Sequence, residues 1–133
     1  ELAEARFPLH FDKHEFRRDS AGDGQFRGGA GVDLELTVET EKPALANTAG
    51  DGIKYGSRGM VGGEDSKPHA YSLLKLDGTE RRLKTKEILV DVDPGDKFII
   101  RSAGGGGWGN PANRCSEARA LDYKNEITSE DRS

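Results

Sequence analysis

Residues 102–111 read SAGGGGWGNP, with four consecutive glycines, the only tryptophan of the chain, a further glycine and Asn-Pro. Glycine loses more conformational freedom on folding than any other residue, so each glycine of the run costs roughly 0.5–1 kcal/mol relative to alanine. A folded segment of this composition needs a compensating reason. Either the backbone turns through conformations that only glycine tolerates, or another backbone or a ligand approaches too closely for a Cβ.

Two interpretations of this segment remain open at the level of sequence. A predicted strand that ends at Arg101, followed by N–H groups without Cβ shielding, is typical of an anion-binding nest. In the alternative, the glycines fold tightly against a neighbouring element, and Trp108 is a structural anchor that buries its ring in an apolar pocket. The segment lacks the Gly-Lys-Ser/Thr of a P-loop and the βαβ unit of a dinucleotide site. The hypothetical anion-binding loop comprises Arg101, Gly104, Gly105, Gly106 and Gly107.

Alternating apolar and polar residues predict six short strands in the rest of the chain. The clearest is VDLELTV at 32–38, and Asp77-Gly78 is the strongest hairpin signal. Residues 41–68 show no periodicity and predict a long irregular segment. The predicted strands are 7–16 (with Phe7, Leu9, Phe11 and Phe16 on the apolar side), 32–38, 70–76, 79–83, 87–92 and 97–101, the last two joined by a turn at 93–96.

The C-terminal residues predict helix. Residues 113–125 have Ser116 or Asn113 as candidate N-caps, with Ala118, Leu121 and Tyr123 turned inward. Residues 127–133 offer caps for a second helix. The predicted fold is mostly β, a glycine-rich β-sandwich or partly open barrel with one or two short C-terminal helices. We expect a single domain over residues 1–133, in which 112–133 form a helical tail.

Composition limits the kinds of partner and cellular environment that the protein can have. Hydrophobic residues other than glycine make up 33% of the 133 residues and charged residues another 33%; the apolar content of an average soluble domain, about 45–50%, also counts glycine, and this chain lies below that average even with this allowance. We therefore expect either a well-solvated surface or a core completed in part by another chain, and we favour the second. The net charge of −4, without a basic stripe, argues against nucleic acid. No apolar run approaches the ~20 residues that cross a bilayer, so we expect a soluble cytoplasmic protein with no membrane partner.

Residues with catalytic or metal-binding potential are scarce. His10 and His14 would share one face of the first predicted strand with Asp12, although solvent-exposed polar residues on an edge strand are the simpler interpretation. The single cysteine, Cys115, permits neither an internal disulfide nor a cysteine-based zinc site. The sequence therefore predicts no catalytic residue and no metal site. Glu1 stands where an initiator methionine would, so we expect a processed product or a fragment of a longer polypeptide.

Three motifs together resemble the C-terminal part of the hydantoinase B family. They are RFPLHFDKHEFRRDSAGDGQFRGGAGV at 6–32, GMVGG at 59–63 and PGDKFIIRSAGGGGWGNP at 94–111. That family includes N-methylhydantoinase and 5-oxoprolinase subunits and the related subunits of acetone and acetophenone carboxylases. Ala21 replaces a glycine of the family pattern, Trp108 a tyrosine and Asn110 an aspartate. Family members run to several hundred residues, so the resemblance covers only about their last quarter.

The resemblance implies an ATP-dependent enzyme of unlike subunits. An A-type subunit uses ATP to phosphorylate a carbonyl or amide oxygen, and a B-type subunit carries the activated intermediate to hydrolysis or carboxylation. Such chemistry needs a water-poor chamber lined by donors for oxyanions, to which Arg101, Arg27-Gly28-Gly29 or Arg58-Gly59 would contribute. The family's metal ligands lie in a region that this sequence does not contain, so the resemblance assigns none here.

The resemblance therefore implies a small subunit, or the split C-terminal part of a B-type subunit, of a hydantoinase, oxoprolinase or ketone carboxylase. We place a ketone carboxylase such as acetophenone carboxylase ahead of the other branches. The expected partners are larger hydantoinase A-like and B-like subunits, which would hold ATP and a divalent metal, with no cofactor in this chain. The alternative is a non-catalytic β-rich binding or scaffolding module that kept the fold.

Overall fold

The computed structural model describes residues 1–129, and it is mostly β, as predicted. Two antiparallel sheets and two short helices account for the regular structure of this part of the chain, in which no sheet closes into a barrel. In chain order the elements are α1 (Leu2–Arg6), β1 (Leu9–Arg17), β2 (Gly31–Val38), β3 (Ala44–Thr48), β4 (Ala70–Leu74), β5 (Glu80–Leu83), β6 (Glu87–Val92), β7 (Lys97–Arg101), a 3-10 turn (Pro111–Asn113) and α2 (Ser116–Lys124).

The described residues form two compact units, each assembled from separate segments of the chain. Unit 1 comprises Glu1–Glu15, Asp33–Asp51 and Ala70–Arg101. Unit 2 comprises Phe16–Val32, Gly52–His69 and the chain from Ser102 onward. The predicted single domain over residues 1–133 stays a prediction. No helix within residues 1–129 is both long and apolar enough to cross a bilayer.

Most of the larger sheet lies in unit 1. Its strand order is β1-β2-β7-β4-β5, in which β7 pairs antiparallel with both β2 and β4. The predicted hairpin is confirmed, because β4 pairs with β5 around Asp77-Gly78. The carboxylate of Asp77 accepts a hydrogen bond from the Thr79 amide at 2.8 Å, and Gly78 supplies the positive φ of +86° that the tight turn requires.

The sequence predicts only one of the two strands of the smaller sheet. It pairs β3 with β6, and β3 lies inside the segment 41–68 that the sequence predicts to be irregular. Its half-buried positions are the small residues Ala44, Ala46 and Thr48, whereas Leu45 is exposed. Hydrophobic periodicity is therefore reversed in this strand, because its largest side chain points outward. The turn at 93–96 leads from β6 into β7, which belongs to the other sheet.

A small apolar core lies in unit 1. The five buried hydrophobic residues of the described chain are Val38, Leu73, Leu83, Val90 and Val92, and Leu9, Ala46, Tyr71 and Phe98 pack against them. By contrast, fourteen large hydrophobic residues are exposed. Phe7 and Phe16, expected on the apolar side of the first strand, are among the exposed ones because Phe7 precedes β1 and Phe16 lies at its far end. The core is small relative to the apolar surface left outside.

A buried carboxylate fixes the turn before β7. Asp96 accepts hydrogen bonds from Lys75 Nζ at 2.7 Å and from the Asp93 amide at 2.8 Å, and its side chain is 1% exposed. Burial raises the pKa of Asp96, but the Lys75 ammonium and the Asp93 amide outweigh burial and hold this pKa below its ordinary value. Hydrogen bonds to Asp96 and Asp93 raise the pKa of Lys75.

The C-terminal helix forms, with a different cap and inner face from those predicted. The N-cap of α2 is Cys115, without a side-chain cap, so Ser116 and Asn113 are wrong as caps. Leu121 and Tyr123 are exposed, and the buried residue of the helix is Asp122. The inner face is polar because the partners of Asp122 are two arginines. The predicted second helix falls at 127–133, of which 127–129 are not helical and 130–133 lie outside the described residues.

Candidate functional site

Close backbone approach explains the glycine run. None of the four glycines 104–107 has a positive φ, so the run is not needed for left-handed turns. A Cβ on Gly104 would lie within 3.0 Å of the Ser20 carbonyl oxygen, and one on Gly106 would lie as close to that of Arg58. Real Cβ atoms avoid such separations. Of the two explanations that the sequence leaves open, the approach of another backbone is the one observed.

The neighbouring segments are also glycine-rich, and the three together form a glycine layer, here defined as residues 20–31, 56–66 and 102–109 of unit 2. Backbone hydrogen bonds join them at 2.8–2.9 Å: the Gly105 amide donates to the Gly29 carbonyl, and the Gly107 amide to that of Glu64. These two amides are already occupied by the protein. The anion-binding loop therefore stays a prediction, and only Gly104 and Gly106 of its glycines are left to supply N–H groups.

Unit 2 has an interior without large side chains. No hydrophobic residue of its described part is buried. Hydroxyls complete the backbone hydrogen bonds, as where Ser20 Oγ accepts from the Gly31 amide at 2.8 Å and Ser66 Oγ accepts from the Ser57 amide at 2.8 Å. The unit is therefore held by hydrogen bonds and backbone packing. Its buried residues are Ser20, Gly22, Gly24, Gly31, Ser66, Gly104, Gly107, Gly109 and Asp122.

Backbone hydrogen bonds hold Trp108 in place, and its ring lies at the surface. Its amide and carbonyl exchange hydrogen bonds with those of Phe26, both at 2.9 Å. The two rings lie 5.7 Å apart between centroids, and Trp108 is 47% exposed. The predicted burial of the ring is wrong, because a layer too tight for a Cβ has no space for an indole. The role of Trp108 as a structural anchor stays a prediction that now rests on its backbone bonds.

One buried carboxylate joins two arginines in the same unit. Asp122 Oδ1 lies 2.9 Å from Arg27 Nη2, and its Oδ2 lies 2.6 Å from Arg114 Nη2. The side chains of all three are no more than 21% exposed. Arg27 Nη1 also donates to the Gly28 carbonyl and Arg114 Nη1 to that of Gln25. The three side chains tie α2 to the glycine layer, so Arg27 is occupied within the protein.

Two clefts border these residues. The first has a volume of about 240 Å³ and is lined by Asp23, Gly24, Pro111, Ala112, Arg114, Arg119, Asp122 and Thr128. The second, of about 220 Å³, has four carboxylates in its lining, from Asp19, Asp23, Glu64 and Asp65, against Arg27 and Lys67. Because acids and bases are mixed in both linings, neither cleft offers an anion a purely basic environment.

The remaining predicted residues lie in unit 1 or point to solvent. Arg101 is half exposed at the end of β7, where its Nε lies 3.6 Å from Asp33 Oδ1. His10 and His14 are exposed on β1. Asp12 accepts a hydrogen bond from the Thr37 hydroxyl and lies 3.4 Å from Lys97 Nζ. Within residues 1–129, no cluster of three or more His, Cys, Asp or Glu side chains has a geometry that would hold a metal ion.

Sequence reasoning missed two features of unit 2. The buried pair of Asp122 and Arg114 gave no signal, because an isolated charged residue in a polar segment looks like a surface residue. The exposed positions of Phe26 and Met60 were also missed, although each lies between glycines in the motifs that carry the family resemblance. Where neighbouring glycines pack backbone to backbone, no interior space remains for a large apolar side chain, which therefore lies at the surface. An apolar residue within such a glycine-rich motif is the pattern that would have predicted the exposure of Phe26 and Met60.

Comparison with known proteins places this chain among longer polypeptides. The family model described as Hydantoinase B/oxoprolinase matches residues 1–111. Caprolactamase subunit beta of Pseudomonas jessenii is 32% identical over 98% of this chain and 23% of its own length. 5-Oxoprolinase of Saccharomyces cerevisiae is 32% identical over 82% of this chain and 8% of its own. The chain thus spans less than a quarter of these curated relatives.

Solved structures extend the likeness to the fold. The ATP-dependent caprolactamase from Pseudomonas jessenii matches with a TM-score of 0.80 and 27% identity, over 96% of this chain and 22% of that one. The nucleotide-free structure of acetone carboxylase matches with a TM-score of 0.75 and 20% identity, over 96% and 21% of the two chains. At 20% identity, the second likeness concerns the fold alone.

Proposed function

The chain belongs to the hydantoinase B/oxoprolinase family, and from this membership we propose that it works as a small subunit, or as the C-terminal part of a B-type subunit, in an ATP-dependent enzyme. Its partners are larger hydantoinase A-like and B-like polypeptides, which hold ATP and a divalent metal. The chain itself supplies a rigid docking module. Assembly, not bond breaking, is its contribution.

This proposal rests on the observation that more large hydrophobic residues are exposed than hydrophobic residues are buried in the described chain. Fourteen large hydrophobic residues are exposed and five hydrophobic residues are buried within residues 1–129. Monomeric soluble proteins rarely expose contiguous apolar patches beyond a few hundred Å², and larger patches mark interaction sites. The small share of the caprolactamase chain that this sequence matches supports the same reading, because the remainder of such a polypeptide is available to cover these side chains.

The interior of unit 2 suits a supporting part rather than a reaction centre. A catalytic group must reach the substrate, whereas the glycine layer is closed by backbone contacts and its Arg27 is paired with Asp122. A rigid wall of this kind has a use in ATP-driven chemistry, because an activated acyl intermediate must be kept from bulk water. We assign the layer to the wall of such a chamber.

Hydrolysis of a cyclic amide is the reaction that the relatives favour for the whole enzyme. Relatives named caprolactamase and 5-oxoprolinase reach 32% identity. Amide resonance makes this bond slow to hydrolyse. Phosphorylation of the carbonyl oxygen by ATP would remove that resonance stabilisation and make the carbon electrophilic, so that water could add and the ring nitrogen could leave. Ketone carboxylation, including the acetophenone branch placed ahead by the sequence analysis, is the second candidate, supported by the fold likeness to acetone carboxylase.

The test is purification of the affinity-tagged chain from its source organism, followed by assay of whatever assembly is recovered. We expect A-type and B-type polypeptides, identified by mass spectrometry, and ADP release that depends on caprolactam or 5-oxoproline. ADP release that instead requires acetone or acetophenone with bicarbonate would select the second candidate. A monomer that brings no such polypeptide would support the scaffolding module and contradict the proposal.

A further inference from the structure

Unit 2 presents four apolar side chains, here called the Trp108 face and defined as Phe26, Met60, Val61 and Trp108. Isolated β-bridges pair Trp108 with Phe26 on one side and with Met60 on the other. Bridged residues point their side chains to the same side of the backbone, so the three lie side by side. All four are between 47% and 68% exposed.

The backbone behind this face is hydrogen-bonded and partly strained. Val61 has a φ of +55° and Gly62 a φ of +87°, in a turn closed by the Gly63 amide donating to the Met60 carbonyl at 2.9 Å. A β-branched residue at positive φ is an outlier, because its side chain crowds the backbone. Strain of this kind is retained where the surrounding structure requires it, and both Met60 and Val61 are exposed in this turn.

We infer that the Trp108 face is the surface by which this chain docks onto the larger B-type polypeptide of its enzyme. The inference rests on the proposed function and specifies its interface. Aromatic residues and methionine are enriched at the centres of protein–protein interfaces, and tryptophan is the residue type most often found to dominate binding energy. The occupant is an apolar surface of the B-type polypeptide.

Three observations favour this occupant. The family match over residues 1–111 includes all four side chains, and in the caprolactamase the matched region is 22% of a longer chain. None of the four lines either cleft described above, and an exposed group of large apolar side chains of this kind suits a macromolecular surface. Each copy carries a net charge of −4, which opposes pairing of two copies.

Met60→Asp is the informative variant, because it places a charge in the face at an exposed position that does not support the fold. Ala49→Asp is its matched control, since it places the same charge at an exposed position of unit 1 that is not among the fourteen exposed large hydrophobic residues. The binding partner is the B-type polypeptide recovered with the tagged wild-type chain, and affinity is measured by biolayer interferometry. We expect Met60→Asp to weaken binding at least tenfold and Ala49→Asp to leave it within twofold.

A second readout follows Trp108 directly. Because the chain has one tryptophan, incorporation of 5-fluorotryptophan places a single fluorine at Trp108. We expect its ¹⁹F resonance to shift on binding and to lose its solvent isotope shift.

Wild-type affinity in Met60→Asp, or an unchanged fluorine resonance in the complex, would overturn the inference while leaving the proposed function intact. A wild-type chain that binds no B-type polypeptide would overturn the proposed function itself. A homodimer that Met60→Asp dissociates would make a second copy the occupant and would also overturn the inference.

Discussion

The carbonyl oxygen of Gly105 lies less than 3.0 Å from the position that a Cβ on Gly28 would occupy, while nothing lies within 4 Å of the equivalent position on Gly29. Neither glycine has a positive φ. These two adjacent residues thus differ in how closely another backbone approaches them. Comparing them therefore shows whether glycine is required here by close packing or by its freedom of φ and ψ.

Gly28→Ala is expected to lower the free energy of unfolding by about 3 kcal/mol, because a methyl group would force two hydrogen-bonded backbones apart. Gly29→Ala is expected to stay within about 1 kcal/mol of wild type, since alanine at a compatible φ reduces the entropy of the unfolded chain. Urea unfolding followed by circular dichroism measures both. Equal effects at the two positions would mean that close packing is not the reason for the glycines.

Asp122→Asn is expected to destabilise the protein by about 3 kcal/mol, because two poorly exposed guanidinium groups lose the carboxylate that they share. Hydrogen exchange should quicken first in α2. Glu117→Gln is the control on the same helix, where an exposed acid interacts only with its immediate neighbours, and it is expected to change stability by less than about 0.5 kcal/mol. An Asp122→Asn protein as stable as this control would show that the arginines do not hold the helix.

Asp96 should make the free energy of unfolding depend on pH in the acidic range. Because its folded pKa lies below the ordinary value of 3.8, its contribution is present above that value and is lost as pH falls through the folded pKa. We expect wild type to lose more unfolding free energy between pH 5 and about 2.5 than Asp96→Asn does. Asp51→Asn, which alters a highly exposed acid, should follow wild type. Parallel curves for wild type and Asp96→Asn would contradict the assignment.

Lys75 should make the free energy of unfolding depend on pH in the alkaline range. Its raised pKa means that its contribution is present below the ordinary value of 10.5 and is lost as pH rises past the folded pKa. Lys75→Met should therefore flatten the fall in unfolding free energy above about pH 10. An unchanged alkaline limb, measured by urea unfolding at closely spaced pH values, would exclude this pair as its source.

Trp108→Ala is expected to cost about 2 kcal/mol, below the 3–5 kcal/mol typical of a fully buried large aromatic residue. The ring is nearly half exposed, and the backbone bonds of Trp108 to Phe26 do not depend on it. A loss above about 4 kcal/mol in thermal unfolding would indicate a buried ring.

The sequence was sufficient for most strand positions and for the family, and insufficient for the side chains that face outward. Alternation and turn residues located β2, β4, β5, β6 and β7, although in β6 only Val90 and Val92 are buried and Ile88 and Leu89 are exposed. Alternation failed at β3, where alanines face inward and Leu45 faces out. It also failed in the glycine layer, where the interior is backbone and the usual link between hydrophobicity and burial is absent. The inward Asp122 follows from the same cause.

Hydroxyl-radical footprinting of the chain alone and within the purified assembly tests most directly whether a larger companion covers its apolar surface. Oxidation is read by mass spectrometry at Met60 and Trp108, both exposed in the chain alone. We expect both to be oxidised readily in the isolated chain and to be strongly protected in the assembly. Equal oxidation of both residues in the two samples would contradict this expectation.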